Sequence, residues 1–422
     1  MGELKFYPFQ KQILDETKDF NRVAYYLDMG LGKTFVGSEK MCDLGASCNL
    51  LICQKSKIQD WIDHYKEHYN AFIYDLTNKK DFENFFLHAD LFAPRVGIIN
   101  YDLVFRRSEL LTLEDFTLML DESSQIQNET AKRSKFILKM QPKNVILLSG
   151  TPTAGKYENL WSQVHLLGWN INKDLYWKHY IETEWVEEDG FFRKEVVGYK
   201  NVDRLKMKLA QHGAIFMKSE EVVDLPEQIE NKIMVPTTKE YRKFMKSRII
   251  NIDGKEMIGD TALTKRLYAR MLCGHYNKYK LDAFKDLVES TEDRLVVFYN
   301  FNEELAELTD LVQDKPISII NGSIKDLIAY EEHENSITFV QYQAGAMGLN
   351  LQKANKAIYF TLPQSSELFE QSKKRIHRIG QNNRCFYYYL MCSGSVEEDI
   401  LANLELRRDY TDELFKKYDE TC

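Results

Sequence analysis

The sequence predicts an α/β fold with two lobes, each a parallel sheet with helices on both faces, and a helical insertion between them. Three observations support this prediction. Up to residue 152, short apolar or β-branched runs alternate with segments of helical length. Over residues 153–293 the chain is helix-rich and charged, and from residue 294 the strand rhythm returns. We therefore expect lobes at 1–152 and 294–422 on either side of the insertion at 153–293.

Each predicted strand is a short run of apolar and β-branched residues bounded by polar or turn residues. In the first lobe these runs are Val23–Leu27, Asn49–Cys53, Ala71–Asp75, Val96–Tyr101, Phe116–Leu120 and Asn144–Leu148. In the second lobe they are Leu295–Tyr299, Ile317–Ile320, Ile337–Gln341, Ala357–Phe360 and Cys385–Met391. A final helix from about Ser395 places Val396, Ile400, Leu401 and Leu404 on one face, so we expect it to cap the second lobe.

Composition restricts the possible function classes. The 422 residues carry a net charge of −8, which argues against a nucleic-acid coat protein and confines any nucleic-acid contact to local patches. No apolar run approaches the roughly 18 residues that a membrane helix needs. The N-terminus has no secretory pattern, and the seven cysteines form no CxxC pair. We expect a cytoplasmic monomer that does not contact a membrane.

The strongest local motif is the segment DMGLGKT, which follows the first predicted strand and opens a predicted helix. In this context Gly30 and Gly32 would let backbone N–H groups approach phosphates, as a helix N-terminus favours an anion. Lys33 would reach the β- and γ-phosphates, and the Thr34 hydroxyl would hold Mg²⁺. Leu27 occupies the position of the first glycine of the full pattern, so the alternative is an ordinary glycine-rich turn.

Two further motifs follow apolar strands. Asp121 would complete a magnesium site, and Glu122 would orient and deprotonate an attacking water. An acidic helix cap is the alternative for this pair. The segment Ser149–Pro152 alone is typical of a turn, but in third place after the other two motifs it indicates coupling between a nucleotide and a nucleic acid.

With these motifs in this order, the chain resembles helicase superfamily two, and within it the Swi/Snf-type DNA translocases. Tyr7–Gln10 is similar to the adenine motif of that family, with Gln10 reading the base. Ala344–Leu351, which includes Gly348 as a predicted nucleotide contact, resembles its motif five. The string QSKKRIHRIGQ, ending at Gln381, is close to motif six. The resemblance implies two RecA-like lobes that bind ATP and Mg²⁺.

The resemblance also implies a mechanism, namely ATP hydrolysis in a cleft between the lobes, stimulated by duplex DNA. Arg375 and Arg378 of motif six would point at the triphosphate as arginine fingers, and their spacing places them one helical turn apart. Hydrolysis would then require lobe closure and would advance the protein along DNA. The segment 371–384 has five basic residues and no acidic one, so it is also a candidate contact for the DNA backbone.

Two alternative functions stay open. In the acidic motif Asp121–Ser124, Ser124 replaces the histidine of the family. This replacement is compatible with an ATP-gated nucleic-acid clamp that hydrolyses little ATP. The second alternative is a strand-separating or RNA-directed helicase, because the substrate is implied by the resemblance and not visible in the residues. A targeting protein as partner cannot be identified from the sequence.

Overall fold

The computed structural model describes residues 4–87, 93–188, 191–345 and 349–416. The chain divides into two compact units. Unit 1 comprises residues 1–222 and 409–422, and unit 2 comprises residues 223–408. Within the described residues each unit contains one large sheet whose strands all pair in parallel, which confirms the predicted α/β class.

The sheet of unit 1 has the strand order β3-β4-β2-β5-β6-β1-β9, and β7 pairs with β8 in a separate antiparallel hairpin. The strands are β1 Arg22–Leu27, β2 Cys48–Cys53, β3 Phe72–Asp75, β4 Arg95–Asn100, β5 Thr117–Asp121, β6 Asn144–Ser149, β7 Ile181–Glu188, β8 Phe191–Tyr199 and β9 Ala214–Met217. Strands β2, β4 and β6 are buried along their whole length, as expected for a parallel sheet that is covered on both faces.

The third helix of unit 1 buries a single apolar stripe. This stripe is Ile58, Trp61, Ile62 and Tyr65, the spacing of one face of an α-helix. The helices are α1 Pro8–Glu16, α2 Lys33–Asp43, α3 Ile58–His68, α4 Lys79–Leu87, α5 Tyr101–Val104, α6 Lys132–Ile137, α7 Trp161–Leu166, α8 Lys173–Tyr180 and α9 Val202–Gln211.

The sheet of unit 2 has the order β10-β17-β16-β13-β15-β14, and β11 and β12 form a small antiparallel hairpin. The strands are β10 Gln228–Val235, β11 Ile249–Ile252, β12 Lys255–Ile258, β13 Leu295–Tyr299, β14 Ile317–Ile320, β15 Ile337–Gln341, β16 Lys356–Tyr359 and β17 Cys385–Cys392. The helices are α10 Lys239–Ser247, α11 Ala262–Cys273, α12 Lys278–Glu289, α13 Asn302–Asp310, α14 Ile328–Glu332, α15 Tyr342–Gly345, α16 Ser366–Lys373 and α17 Val396–Phe415.

The segment 153–293, for which the sequence predicts a helical insertion, is divided between the two units. It contains helices, but it also supplies β9 and β10, which lie at the edges of the two large sheets. Edge strands have one open side, and in β10 half-buried and exposed residues alternate from Ile229 onward, until Val235 at the end of the strand is buried. No helix among the described residues is long and apolar enough to cross a membrane.

The final helix follows the predicted pattern. Ile400, Leu401 and Leu404 are buried in the core of unit 2, as expected for a helix that caps this lobe. Farther along the same helix, Leu414 and Phe415 are buried in the core of unit 1. The last turns of α17 are therefore structural parts of the first unit, which periodicity alone did not predict.

Candidate active site

The sequence motifs of unit 1 meet at the carboxyl ends of neighbouring strands of its sheet. Strands β5, β6 and β1 are neighbours in this order, and all three run parallel. Lys33 lies in the loop and helix that follow β1, Asp121 ends β5, and Ser149 ends β6. The carboxyl ends of parallel strands are where open α/β sheets bind ligands.

The glycine-rich loop has a backbone conformation that favours glycine. The φ angles of Gly30 and Gly32 are 87° and 75°, and Gly32 directly precedes the first residue of α2. A Cβ atom at Gly32 would stand 2.4 Å from the Gln10 Nε2 atom. Gln10 donates from Nε2 to the Leu31 carbonyl at 3.0 Å and accepts the Tyr7 N–H at 3.0 Å. The predicted base-reading residue is thus held directly against the phosphate loop.

The first residue of α2, Lys33, lies across this loop. Its Nζ atom donates to the carbonyls of Leu27 at 2.9 Å and Asp28 at 3.2 Å. The same Nζ atom lies 3.3 Å from the position of a Cβ at Gly150, which links the loop to the end of β6. Thr34 follows in the first turn of the helix and is half-buried. Both residues lie where the phosphate-loop prediction places them.

The Asp121 carboxylate is held by an indole. Its Oδ2 atom accepts a hydrogen bond from Trp61 Nε1 at 2.8 Å. Burial raises the pKa of Asp121, whereas the Trp61 hydrogen bond and the charge of Lys33 oppose that rise. The Tyr101 hydroxyl donates to the Asp121 carbonyl at 2.9 Å and to the Glu122 carbonyl at 3.3 Å. Two buried aromatic residues therefore fix both the side chain and the backbone of the acidic pair.

Sequence reasoning did not include Trp61 or Tyr101 among the site residues. Trp61 lies on α3, which follows β2, and Tyr101 directly follows β4. Since β4, β2 and β5 are adjacent in the sheet, both aromatic residues follow strands that end beside Asp121. The family resemblance does single out both positions, Trp61 after the second strand and Tyr101 in the segment Ile99–Asp102, but their contacts with the acidic pair depend on the sheet order, which cannot be read from the sequence.

Glu122 has an unusual backbone conformation and contacts the third motif. Its φ angle is 55°, a left-handed conformation that is uncommon for residues other than glycine. Its Oε2 atom accepts a hydrogen bond from Ser149 Oγ at 3.2 Å, and Ser149 Oγ accepts the Thr151 N–H at 3.1 Å. Ser124, which replaces the family histidine, is buried in the 3-10 helix that follows Glu122. The acidic pair and the Ser149–Pro152 segment are therefore in direct contact.

The predicted arginine fingers belong to unit 2. Helix α16 ends at Lys373, so Arg375 and Arg378 lie in a series of turns beyond it, and the prediction that they share a helical face is wrong. The Arg375 carbonyl accepts the Leu351 N–H at 3.0 Å, a tertiary contact that fixes the turn. Arg378 donates from Nη1 to the Leu349 carbonyl at 3.3 Å, and burial lowers its pKa. Their action on a nucleotide stays a prediction.

Lys373 and Gln381 of motif six make structural contacts, and the predicted nucleotide contact of motif five is not among the described residues. Lys373 is buried and forms an ion pair with Glu230 at 2.5 Å, so it is not an open contact for DNA phosphates. Gln381 donates from Nε2 to three carbonyl groups between 2.9 and 3.1 Å, so the end of the motif serves as a structural clamp. Gly348 lies outside the described residues.

The arrangement in unit 1 fits a nucleotide with a divalent cation. Asp121 and Thr34 offer the oxygen donors that Mg²⁺ prefers, and Lys33 offers a cation for phosphate oxygens. Gly30 and Gly32 have positive φ angles and no Cβ, so their backbone N–H groups are not shielded by side chains of their own. Glu122 supplies a carboxylate next to the proposed metal ligand. These groups suit phosphoryl transfer to water.

Residues 26–278 match the family model of the SNF2-related domain, and residues 279–380 match that of the helicase conserved C-terminal domain. The chain is 23% identical to YwqA of Bacillus subtilis, covering 92% of this chain and 46% of that protein. It is 23% identical to the ISWI chromatin-remodeling complex ATPase ISW1 of Saccharomyces cerevisiae (97% and 40% covered). It is 24% identical to the mouse DNA annealing helicase and endonuclease ZRANB3 (96% and 40% covered).

Among solved structures, the SWI2/SNF2 ATPase core of Sulfolobus solfataricus in complex with dsDNA aligns with a TM-score of 0.45 and 17% identity. That alignment covers 98% of this chain and 93% of the archaeal one. The chain spans less than half the length of each of these three relatives.

Proposed function

Because this chain belongs to the SNF2-related family and carries its helicase-like ATPase domains, we propose that it is an ATP-driven DNA translocase. The observation that supports this function most directly is the cluster at the sheet edge of unit 1. There the phosphate loop, the acidic pair and Ser149 follow three adjacent parallel strands. Such a site suits nucleotide hydrolysis, and the family relationship supports its use to drive movement on DNA.

The residues of unit 1 have separate roles in this proposal. Gln10 recognises the base, and Lys33 binds the phosphates. Thr34 and Asp121 would hold Mg²⁺, which when bound neutralises charge on the phosphate oxygens. Glu122 orients the attacking water and accepts its proton. Trp61 binds Oδ2 of Asp121, so in this proposal Oδ1 is the oxygen that would bind the metal.

DNA, bound through the backbone of the duplex, is the proposed track. The names of the relatives support DNA, because one is a DNA annealing helicase and another is a chromatin-remodeling ATPase. A net charge of −8 implies that only local basic surface contacts the phosphates. We therefore expect the stimulation of ATP turnover by DNA to weaken as the salt concentration rises.

Steady-state phosphate release with duplex DNA, single-stranded DNA or RNA tests the proposal. The unaltered chain should respond most strongly to duplex DNA, and Lys33→Ala should abolish turnover, since it removes the phosphate cation. Arg378→Ala should retain ATP binding and lower turnover by about 10³-fold or more. Lys11→Ala, at an exposed position on α1, is the matched control for Lys33.

Other outcomes would support the alternatives. Nucleotide-dependent DNA binding with negligible turnover would identify an ATP-gated clamp. Stronger stimulation by RNA, or displacement of one DNA strand in a fluorescence assay, would identify a helicase of another type. Normal turnover in Arg378→Ala would show that this arginine does not act on the nucleotide.

A further inference from the structure

A fully buried amide lies between the segments that follow β5 and β6. Gln163, on α7, accepts at Oε1 from Ser123 Oγ at 2.7 Å and from the Tyr26 hydroxyl at 3.0 Å. Its Nε2 atom donates to the Pro152 carbonyl at 2.8 Å. A carbonyl can only accept, so this contact determines which end of the amide is the donor. Gln163 therefore ties the residue after Glu122 to the Ser149–Pro152 segment.

A second amide makes a parallel connection one helical turn earlier. Asn159 belongs to the 3-10 helix Tyr157–Leu160. Its Nδ2 atom donates to Gln127 Oε1 at 2.9 Å and to the Thr153 carbonyl at 2.9 Å. Gln127 follows the 3-10 helix that begins after Glu122, and Thr153 follows Pro152. The same two segments are thus bridged twice by neutral side chains.

These two bridges lie beside Glu122, the proposed water-activating residue, whose backbone is left-handed. Such a conformation raises the free energy of a residue with a side chain, and it persists only where surrounding contacts enforce it. Around the Glu122 backbone the contacts include the Tyr101 hydroxyl on its carbonyl, the Gln125 N–H on the same carbonyl at 2.9 Å, and the Ser123 bond to Gln163. Through Gln163 the last of these also reaches the Pro152 carbonyl, in addition to the direct hydrogen bond between Ser149 and the Glu122 side chain.

The amide of Gln163 does more than fill space in the core. An apolar side chain of the same length would fill the space but would leave Ser123 Oγ and the Pro152 carbonyl without this buried partner. Buried polar groups without partners are costly, so the amide specifies one relative placement of the two segments, which packing alone would not.

We propose that Gln163, supported by Asn159, is a positioning residue that holds Glu122 and the Ser149–Pro152 segment in fixed register. This inference rests on the proposed function, because Glu122 is its proposed water-activating residue. A displacement of the Pro152 turn would then be transmitted to Glu122 through Gln163 and Ser123. Neither amide touches the nucleotide in this role.

The test compares Gln163→Met with Asn144→Leu. Methionine keeps the length of the side chain and removes the amide. Asn144 is a buried amide at the opposite end of β6, where it donates to Thr117 Oγ1 at 3.1 Å. We expect Gln163→Met to leave the KM for ATP unchanged and to lower kcat by about 10- to 100-fold. Asn144→Leu should lower thermal stability and leave kcat unchanged.

Ser123→Ala removes the other half of the bond and completes a double-mutant cycle. If Gln163 acts through Ser123, the double variant should lose no more kcat than Gln163→Met alone. Additive losses, or an unchanged kcat in a folded Gln163→Met protein, would overturn the positioning role. Equal losses of kcat in Gln163→Met and Asn144→Leu would also overturn it, because they would indicate general destabilisation.

A crystal structure of Gln163→Met gives a readout that does not depend on turnover. We expect the φ angle of Glu122 to leave the left-handed region, or the Ser149 contact to break. A left-handed Glu122 with an intact Ser149 contact would contradict the proposal. Turnover of the unaltered chain is measured first, so a failure of the proposed function appears there and a failure of the positioning role appears in the variants.

Discussion

Gly32 is required by two independent constraints. Its φ angle of 75° is one that a residue with a side chain rarely adopts, and its missing Cβ leaves room for the Gln10 amide. Gly45 has only the first constraint, because its φ angle is 64° and no atom lies within 4 Å of the position of its Cβ. Alanine substitutions at the two positions can therefore distinguish the cost of backbone strain alone from the additional steric conflict with Gln10.

Gly45→Ala should lower the free energy of unfolding by about 1 kcal/mol, the cost of a left-handed alanine. Gly32→Ala should lower it further and should also weaken ATP binding, since the methyl group displaces Gln10. Urea denaturation and a nucleotide-binding titration measure the two effects. Equal destabilisation, with normal ATP binding in both variants, would show that the Gln10 contact is unimportant.

At the residue scale, the sequence predicted the side chains whose chemistry is local. Lys33, Asp121 and Glu122 belong to short motifs at strand ends, and the structure places them at one sheet edge. Trp61 contacts a residue 60 positions away, and Gln163 contacts one 40 positions away. Such pairings depend on strand order and helix packing, so no local motif identifies them.

Among the elements, α13 begins around a buried carboxylate. Glu304 accepts hydrogen bonds from the Asn300 N–H at 2.9 Å, the Phe301 N–H at 3.1 Å and the Thr361 hydroxyl at 2.9 Å. Burial raises the pKa of Glu304 to about 7, although these hydrogen bonds oppose the rise. Folding therefore favours the protonated form of this side chain.

The direction of the pH effect follows from this shift. Between the ordinary pKa of about 4.5 and the folded pKa of about 7, the folded chain binds a proton that the unfolded chain has lost. The contribution of Glu304 to stability therefore falls as the pH rises through this window and stays low above it. Glu304→Gln carries no such proton, so above pH 7 it should be more stable than the unaltered chain by up to about 3 kcal/mol.

Urea denaturation followed by far-UV circular dichroism at pH 5 and pH 8.5 measures this difference. Glu307→Gln, at an exposed position on the same helix, is the control and should show no such gain. A Glu304→Gln protein that is less stable than the unaltered chain at both pH values would contradict the argument.

The predicted strand bounds are most accurate where the sequence has a clear run of apolar and β-branched residues. The interior strand β13 has the predicted bounds, because five consecutive buried apolar residues form a clear run. The edge strands β9 and β10 were missed, because β9 is only four residues long and β10 mixes polar and apolar residues, whereas the edge strand β14 was predicted with its observed bounds. Helix α16 ends earlier than the spacing of Arg375 and Arg378 suggested, because tertiary hydrogen bonds hold the following turns.

For the whole molecule, tryptophan fluorescence is a reporter of unit 1 alone. The five tryptophans of the chain are Trp61, Trp161, Trp169, Trp177 and Trp185. All of them lie in residues 1–222, whereas unit 2 has none. The two units can therefore be followed separately by comparing fluorescence with circular dichroism.

Phe415→Ala should destabilise unit 1. The Phe415 ring is buried and meets Phe216 edge-on, with 5.3 Å between ring centroids. Loss of a buried phenylalanine costs about 3–5 kcal/mol, so the fluorescence-detected melting temperature should fall. Leu406→Ala, on the same helix but 45% exposed, is the control and should leave that melting temperature unchanged. Equal shifts in the two variants would contradict the assignment of Phe415 to this core.

The fold class and the two parallel sheets could be predicted for the molecule as a whole, because alternating strands and helices produce them. The boundaries of the units could not. Residues 409–422 return to unit 1 after about 190 residues of intervening chain, and this return depends on long-range packing.

This return affects the order in which the polypeptide matures on the ribosome. Every residue of unit 2 is translated before Leu414 and Phe415 leave the exit tunnel. Until then the nascent unit 1 lacks two hydrophobic side chains of its interior and exposes the apolar surface that they cover. Such exposed surface is a binding site for chaperones and a cause of aggregation, so elongation that stalls near residue 408 should leave the first unit vulnerable although its sheet is already complete.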